Sequence, residues 1–180
     1  MLRLEKFEKE FYAELISWVE NEEFLMQFAG PGFNFPLTNE QLDNSLSDKN
    51  RYAFRVVNTK TNLSVGYSEI YLRENAALLG RILIGGEKQR GKGFGQQILN
   101  LLLEFTFLNL HQTQVELNVF DWNIGAIKCY EKVGFIINQD RNLQRKVKNE
   151  MWTAINMRMN KEDWHEYQTK KKLKKLKRDM

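Results

Sequence analysis

Apolar residues at Leu2, Leu4 and Phe7 alternate with charged ones, the period of a half-buried strand. Leu15, Ile16 and Val19 then recur at helical spacing and predict a helix over about 11–20. Both prolines fall in AGPGFNFPLT (29–38) beside two glycines, which reads as a loop. Thr38 ahead of Glu40 and Gln41 predicts a second helix, with Thr38 as N-cap and Gln41 completing a capping box. Three strand-like runs follow: YAFRVVN (52–58), SVGYSEIYLR (64–73) and ALLGRILIG (77–85). Strict alternation would put Val65, Tyr67, Glu69 and Tyr71 of the middle run on one face. Turn signals at 59–62 and near Asn75 separate the runs, and connections that short favour antiparallel neighbours.

Residues 95–109 are apolar nearly all round (Ile98, Leu101, Leu102, Phe105, Leu108), which predicts a helix buried against a sheet. VELNVF (115–120) is a strand pattern, and DWNIGAIKCYEKVGF (121–135) a helix with Asn123 near its start and Gly134 as its stop. Two further strand-like stretches, 135–138 and 151–159, flank a polar, basic connection, and no internal repeat is present. This order predicts one mixed α/β (α+β) domain over 1–160 with a largely antiparallel sheet. Residues 161–180 form a basic C-terminal tail, helical or frayed.

With 42% hydrophobic and 28% charged residues, the 180-residue composition is that of an ordinary globular domain. One cysteine excludes an internal disulfide. The opening MLRLEKFEKE is already charged, unlike a secretory signal, and ILNLLLEFTFLNL is too short and too polar to cross a bilayer. A cytoplasmic chain without membrane association is therefore expected. The net charge of +4 is unevenly spread: residues 170–180 hold six lysines, one arginine and one aspartate, so they contribute +6 and leave the body at −2. Such an end is read first as a solvated, frayed helix end, with weak contact to ribosome or nucleic acid as the alternative.

The glycine-rich stretch QRGKGFGQQIL (89–99) lies between an apolar strand and the long helix. It lacks the spacing of a P-loop, and a dinucleotide fingerprint starting at Gly91 would need glycine where Gln96 stands. Lys92, Gly93, Phe94 and Gly95 match the first four places of an RNA-binding RNP1 strand. Gln96, Gln97, Ile98 and Leu99 then break it, where base-stacking aromatics are required. What remains is a strand–loop–helix whose amides converge on an anion. Glycines admit close approach and positive φ, the helix N-terminus adds its dipole, and Arg90 and Lys92 add charge.

Arg90-Gly91-Lys92-Gly93-Phe94-Gly95 fits the R/Q-x-x-G-x-G/A signature, and N123-x-x-A126-x-x-x-Y130-x-x-x-G134-F135 follows about 30 residues downstream. On these two elements the chain resembles the GNAT superfamily of acetyl-CoA-dependent N-acetyltransferases. RILIGGEKQ is similar to the strand-to-loop passage of its ribosomal-protein N-terminal and spermidine acetyltransferase branch. The resemblance implies a sheet splayed between strands 77–85 and 115–120, with the cosubstrate in the gap. Amides of Arg90, Gly91, Lys92, Gly93, Phe94 and Gly95, with Gln96 beside them, would bind the pyrophosphate of coenzyme A. The backbone of Ile82, Leu83 and Ile84, extending to Gly85, would pair with the pantetheine arm. Asn123 would hydrogen-bond that arm, and Ala126 would leave room for it.

Tyr130 is the implied proton donor to the leaving thiolate. The neighbouring Cys129 is better read as a small buried apolar group than as a nucleophile. The acid that many relatives carry near the start of the fourth strand is missing from Ala76-Ala77-Leu78-Leu79. Glu69 is the nearest substitute for a general base, with Glu116 and Glu87 weaker candidates and a water chain as the alternative. Phe28, Phe33, Phe35 and Trp18 would wall the acceptor side, and Glu20, Glu22 and Glu23 would supply negative charge there. No metal is implied, and a monomer or homodimer is expected. The function expected is transfer of acetyl to a primary amine (a small amine, polyamine or protein N-terminus) by direct attack in a ternary complex. The alternative is a non-catalytic acyl-CoA-binding or RNA-associated module on the same fold.

Overall fold

The computed structural model of the chain describes residues 1–86, 89 and 91–177. Seven strands form one sheet: β1 (Leu2–Lys6), β2 (Arg51–Asn58), β3 (Ser64–Leu72), β4 (Ala77–Ile84), β5 (Gln114–Phe120), β6 (Ile136–Val147) and β7 (Glu150–Asn160). Their spatial order is β1-β2-β3-β4-β5-β7-β6. Every neighbouring pair is antiparallel except β4 and β5, which run parallel. That parallel ladder holds only from Ala77–Val115 to Leu79–Leu117, after which the two strands part. The seam therefore opens toward the C-terminal ends of both strands, where ligands of open α/β sheets commonly sit.

Helices α1 (Tyr12–Ser17), α2 (Glu22–Ala29) and α3 (Asn39–Leu46) cover one face. Leu15, Leu25 and Leu42 pack there with Ala53, Tyr67 and Leu83 of the sheet. On the opposite face α4 (Phe94–Glu104) and α5 (Ile124–Val133) pack against the larger core. Ile98, Leu102 and Leu103 of α4 meet Val56, Ile70, Leu79, Val115 and Leu117. A final helix, α6 (Lys161–Leu176), adds Trp164 to the same core.

Several local expectations need correction. Helix α1 is shorter than the expected 11–20, being preceded by a 3₁₀ turn at Lys9–Phe11. Glu22 and Glu23 do not end that helix but open a separate one, α2, capped by Asn21, whose Oδ1 accepts from Phe24 N at 2.8 Å. Acids in a first turn favour that start through the helix dipole. Thr38 caps α3 by accepting from Gln41 N at 3.3 Å, but the Gln41 side chain bonds Asn34 and Pro36 rather than returning to Thr38. The long helix changes to a π-helical turn at Phe105–Asn109, where the Thr106 hydroxyl donates back to Leu102 O at 2.7 Å.

Two irregularities defeat simple alternation in β3. Val56 pairs with Gly66 and Val57 with Ser64, so Val65 is an inserted residue. Val65 accordingly enters the α4-side core while Tyr67 enters the α1–α3 side. Opposite Ser68, between the Tyr67–Leu83 and Glu69–Gly80 pairs, β4 carries the extra residue, with Arg81 at φ 49°.

Candidate active site

The glycine loop ends on the N-terminus of α4, and Gly93 is its N-cap with φ 73°. Gly91 has φ 75°, so two of the three loop glycines occupy the left-handed region that side chains avoid. Among the described residues no side chain caps α4, which leaves the first-turn amides at Phe94, Gly95 and Gln96 for an outside acceptor. Gly95 serves a different purpose: a Cβ there would lie 3.2 Å from Cys129 Sγ, so its absence lets α4 and α5 approach closely. Arg90 and Glu87 lie outside the described residues. Lys92 is exposed and its Nζ donates to Gln89 Oε1 at 3.3 Å.

Behind this loop runs the free edge of β4. Leu83 and Ile84 pair with Tyr67 and Gly66 on the β3 side, while the β5 side has no ladder beyond Leu79. The Leu83 carbonyl faces Gly66 and Gly85 N donates to Val65 O at 3.0 Å, so between them it is the backbone of Ile84 that turns to the open seam. Asn123 follows β5 as the N-cap of α5, its Oδ1 accepting from Ala126 N at 3.2 Å, which leaves its Nδ2 donors without a partner among the described residues. Ala126 and Tyr130 follow on the same helix and pack on the α4-side core.

Tyr130 is held by an edge contact with Phe135, ring centroids 6.1 Å apart. Its hydroxyl has no hydrogen-bond partner among the described residues, and burial, then the neighbouring Cys129, push its pKa well above the ordinary phenol value. The group is thus a neutral donor without an acceptor. Burial likewise raises the Cys129 thiol, which opposes thiolate formation and nucleophilic use.

On the other side of the seam lies a cavity of about 430 Å³. The C-terminal end of α2 supplies Met26 and Phe28, the central strands supply Leu79, Gly80, Asn118 and Phe120, and β6 supplies Leu143. Its buried carboxylate is Glu69, only 1% exposed. Arg81 Nη1 lies 2.8 and 3.1 Å from its two oxygens, and Arg51 Nη1 and the Tyr67 hydroxyl also donate to it. Three donor groups make four hydrogen bonds to this one carboxylate and occupy its acceptor sites, which leaves it poorly placed to take a substrate proton. Arg81 also reaches Ser45 Oγ at 2.6 Å and stacks over Phe33, 3.8 Å from the ring centre.

The remaining acceptor-side candidates are dispersed. Phe28 lines the cavity, Phe33 lies beneath Arg81, Phe35 is exposed, and Trp18 stacks against Gly85. Glu20 and Glu22 are exposed, and Glu23 is paired with Lys148 in the turn between β6 and β7. Glu116 is buried and held by Arg141 at 2.9 and 3.0 Å, beside a second, polar cavity at the N-terminal ends of β4 and β5. Sequence reasoning missed the arginines that line the larger cavity: Arg51, Arg73, Arg81 and Arg145. One signal was available, since Arg81 is the single charge in the apolar run ALLGRILIG.

A family model described as an acetyltransferase (GNAT) domain matches residues 1–136. Among curated proteins, the SPbeta prophage-derived N-acetyltransferase YokL of Bacillus subtilis is 33% identical over 91 residues, 49% of this chain and 50% of that protein. Aminoglycoside N(6')-acetyltransferase type 1 of Klebsiella pneumoniae is 36% identical over 53 residues, 29% of this chain and 26% of its own. The matched part of the chain thus spans half the length of the first relative and about a quarter of the second. A solved spermidine N-acetyltransferase from Vibrio cholerae, in complex with CoA and spermine, superposes with a TM-score of 0.75 at 20% identity. The superposition covers 91% of this chain and 97% of that one.

Proposed function

The chain belongs to the GNAT acetyltransferase family, and from that premise we propose that it transfers acetyl from acetyl-CoA to a primary amine. The observation that carries the reading is the seam between β4 and β5, open beyond Leu79, with an anion cradle on one side and a half-open cavity on the other. A nucleotide-bearing thioester and an amine can meet there from opposite faces. The donor side fits coenzyme A: left-handed glycines, uncapped α4 amides, a free strand edge and a partnerless phenol. A V. cholerae protein of the same fold is known in complex with CoA.

Bound acetyl-CoA supplies an acyl thioester whose carbonyl an amine can attack. The α4 amides and the loop at Gly91, Lys92 and Gly93 hold the pyrophosphate, with Arg90 assigned to the same loop by sequence. The edge of β4 at Ile82, Leu83 and Ile84, through the Ile84 backbone, aligns the pantetheine as an added strand, and the Nδ2 of Asn123 donates to it. As the new N–C bond forms and the C–S bond breaks, the Tyr130 hydroxyl gives its proton to the departing sulfur. The proton lost by the amine passes to water in the cavity. Glu69 anchors Arg51 and Arg81 in place of serving as base, because its acceptor sites are filled. The same reading keeps a weak polyanion contact at the end of α6, where Lys170, Lys171 and Lys172 are exposed.

The test is thiol release from acetyl-CoA with a panel of primary amines, beside calorimetric binding of acetyl-CoA. Turnover with at least one amine is expected. Tight acetyl-CoA binding without thiol release from any amine would leave a non-catalytic acyl-CoA-binding module instead.

A further inference from the structure

We propose that the acceptor is a small primary amine that also carries an oxyanion, a carboxylate or a phosphate, which the arginines of the cavity recognise. The proposal rests on reading the seam as an acetyltransferase site. Among the described residues, Arg51, Arg73, Arg81 and Arg145 line the cavity against the single carboxylate of Glu69, an excess of three positive charges. Glu69 cannot serve an incoming cation, since it already accepts from two guanidiniums and a phenol.

Arg73 and Arg145 have no carboxylate within ion-pair distance among the described residues. The side-chain hydrogen bond of Arg145 goes to the neighbouring Gln144 carbonyl, at 3.0 Å. Guanidiniums that converge on a concave, partly apolar site without counter-charges are matched by a planar or tetrahedral oxyanion, bound through two parallel N–H donors.

The same charges argue against a polyamine. A polycation would enter a positive field that a concave site focuses rather than screens. The acids that would be needed to hold it lie elsewhere: Glu20 and Glu22 are exposed, and Glu23 is paired with Lys148. A volume of about 430 Å³ suits a ligand of amino-acid to dipeptide size. The positive surroundings also disfavour the ammonium form of the acceptor, so the amine is presented neutral without a dedicated carboxylate base.

The experiment compares kcat/KM for thiol release with β-alanine, L-aspartate and 2-aminoethyl phosphate. Their counterparts without the oxyanion, β-alaninamide and 2-methoxyethylamine, whose remaining groups are uncharged, form the second arm, and spermidine the polycationic one. The anionic amines should exceed their counterparts without the oxyanion by at least tenfold, mostly through KM, and the carboxylate and phosphate arms show which oxyanion is preferred. Arg73→Gln and Arg145→Gln should each erase most of that ratio while acetyl-CoA affinity, read by calorimetry, stays unchanged. Spermidine turning over faster than every anionic amine overturns the proposal and leaves the acetyltransferase reading intact.

Calorimetric binding of the same amines to the coenzyme A-loaded protein decides the matter independently of turnover. Tighter binding of the anionic members, lost in the arginine variants, supports the recognition even where no thiol is released, and then only the acetyltransferase reading fails. Equal binding of members with and without the oxyanion overturns it.

Discussion

At the scale of single residues, Tyr130 shows how the environment suits a group to one task. Burial raises its pKa, so the phenol keeps its proton through the neutral and moderately alkaline range and loses it only well above the ordinary value. A proton donor must be protonated at the working pH, and Tyr130 meets that condition without a partner to hold it. Tyr130→Phe keeps the ring contact with Phe135 and removes only the hydroxyl. We expect kcat to fall by about 100-fold, the lower end of general acid catalysis, with acetyl-CoA affinity unchanged. The wild-type kcat should show no alkaline decline up to about pH 10, the ordinary tyrosine pKa. An unchanged kcat in the phenylalanine variant removes Tyr130 from the chemistry.

At the scale of elements, α3 is tied by polar contacts to the start of α1 and to the 3₁₀ turn before it. Asp43 accepts from Lys9 Nζ at 3.0 Å and from the Tyr12 hydroxyl at 3.0 Å. Lys9 first, then Tyr12, hold the Asp43 carboxyl below its ordinary pKa, while burial and then Asp43 push Tyr12 up to about 12. A lowered carboxyl stabilises the fold above its unfolded pKa and loses that contribution as pH falls through the folded value. Asp43→Asn should therefore lower Tm at pH 7, and the difference from wild type should close once pH drops below about 4, the ordinary range of an aspartate. A difference that persists undiminished at pH 2 means the contact acts through shape rather than charge.

The same scale shows what the sequence could and could not reveal. The buried strands β2, β3, β4 and β5 were legible because their apolar runs are strong, and so were the caps Thr38, Asn123 and Gly134. The loop and the Asn123–Tyr130 spacing pointed to the donor side for the same reason: they are local. Strand β6 extends to Val147, far beyond the expected 138, because an edge strand exposed on both faces has no hydrophobic alternation to betray it. The arginine cluster was not legible as a cluster, although Arg81 stood out, because it joins three strands and the turn after β3 and depends on the bulge at Arg81.

For the molecule as a whole, α6 divides into a packed start and a solvated end. Trp164 is 5% exposed and lies 5.3 Å from Phe107, centre to centre, so it joins the helix to the core beneath the π-helical turn. The lysines at 170–172 are exposed, and their contacts are polar ones at the surface: Lys170 with Glu166, and Lys171 with Asn100 and the Tyr167 ring. Yet the indole Nε1 of Trp164 is buried without a hydrogen-bond partner among the described residues, a condition that costs about 1–3 kcal/mol. The ring and its N–H therefore pull in opposite directions, and two substitutions separate them. Trp164→Ala removes the packing and should cost about 3–5 kcal/mol. Trp164→Phe gives up part of the ring together with the orphaned donor, and the two effects should offset to within about 1 kcal/mol. Urea denaturation midpoints measure both. A phenylalanine variant as unstable as the alanine one shows that the full indole is needed, either for its volume or for a partner of its N–H in solution; near-equality of Phe with wild type shows that the donor is the weak point where α6 joins the sheet.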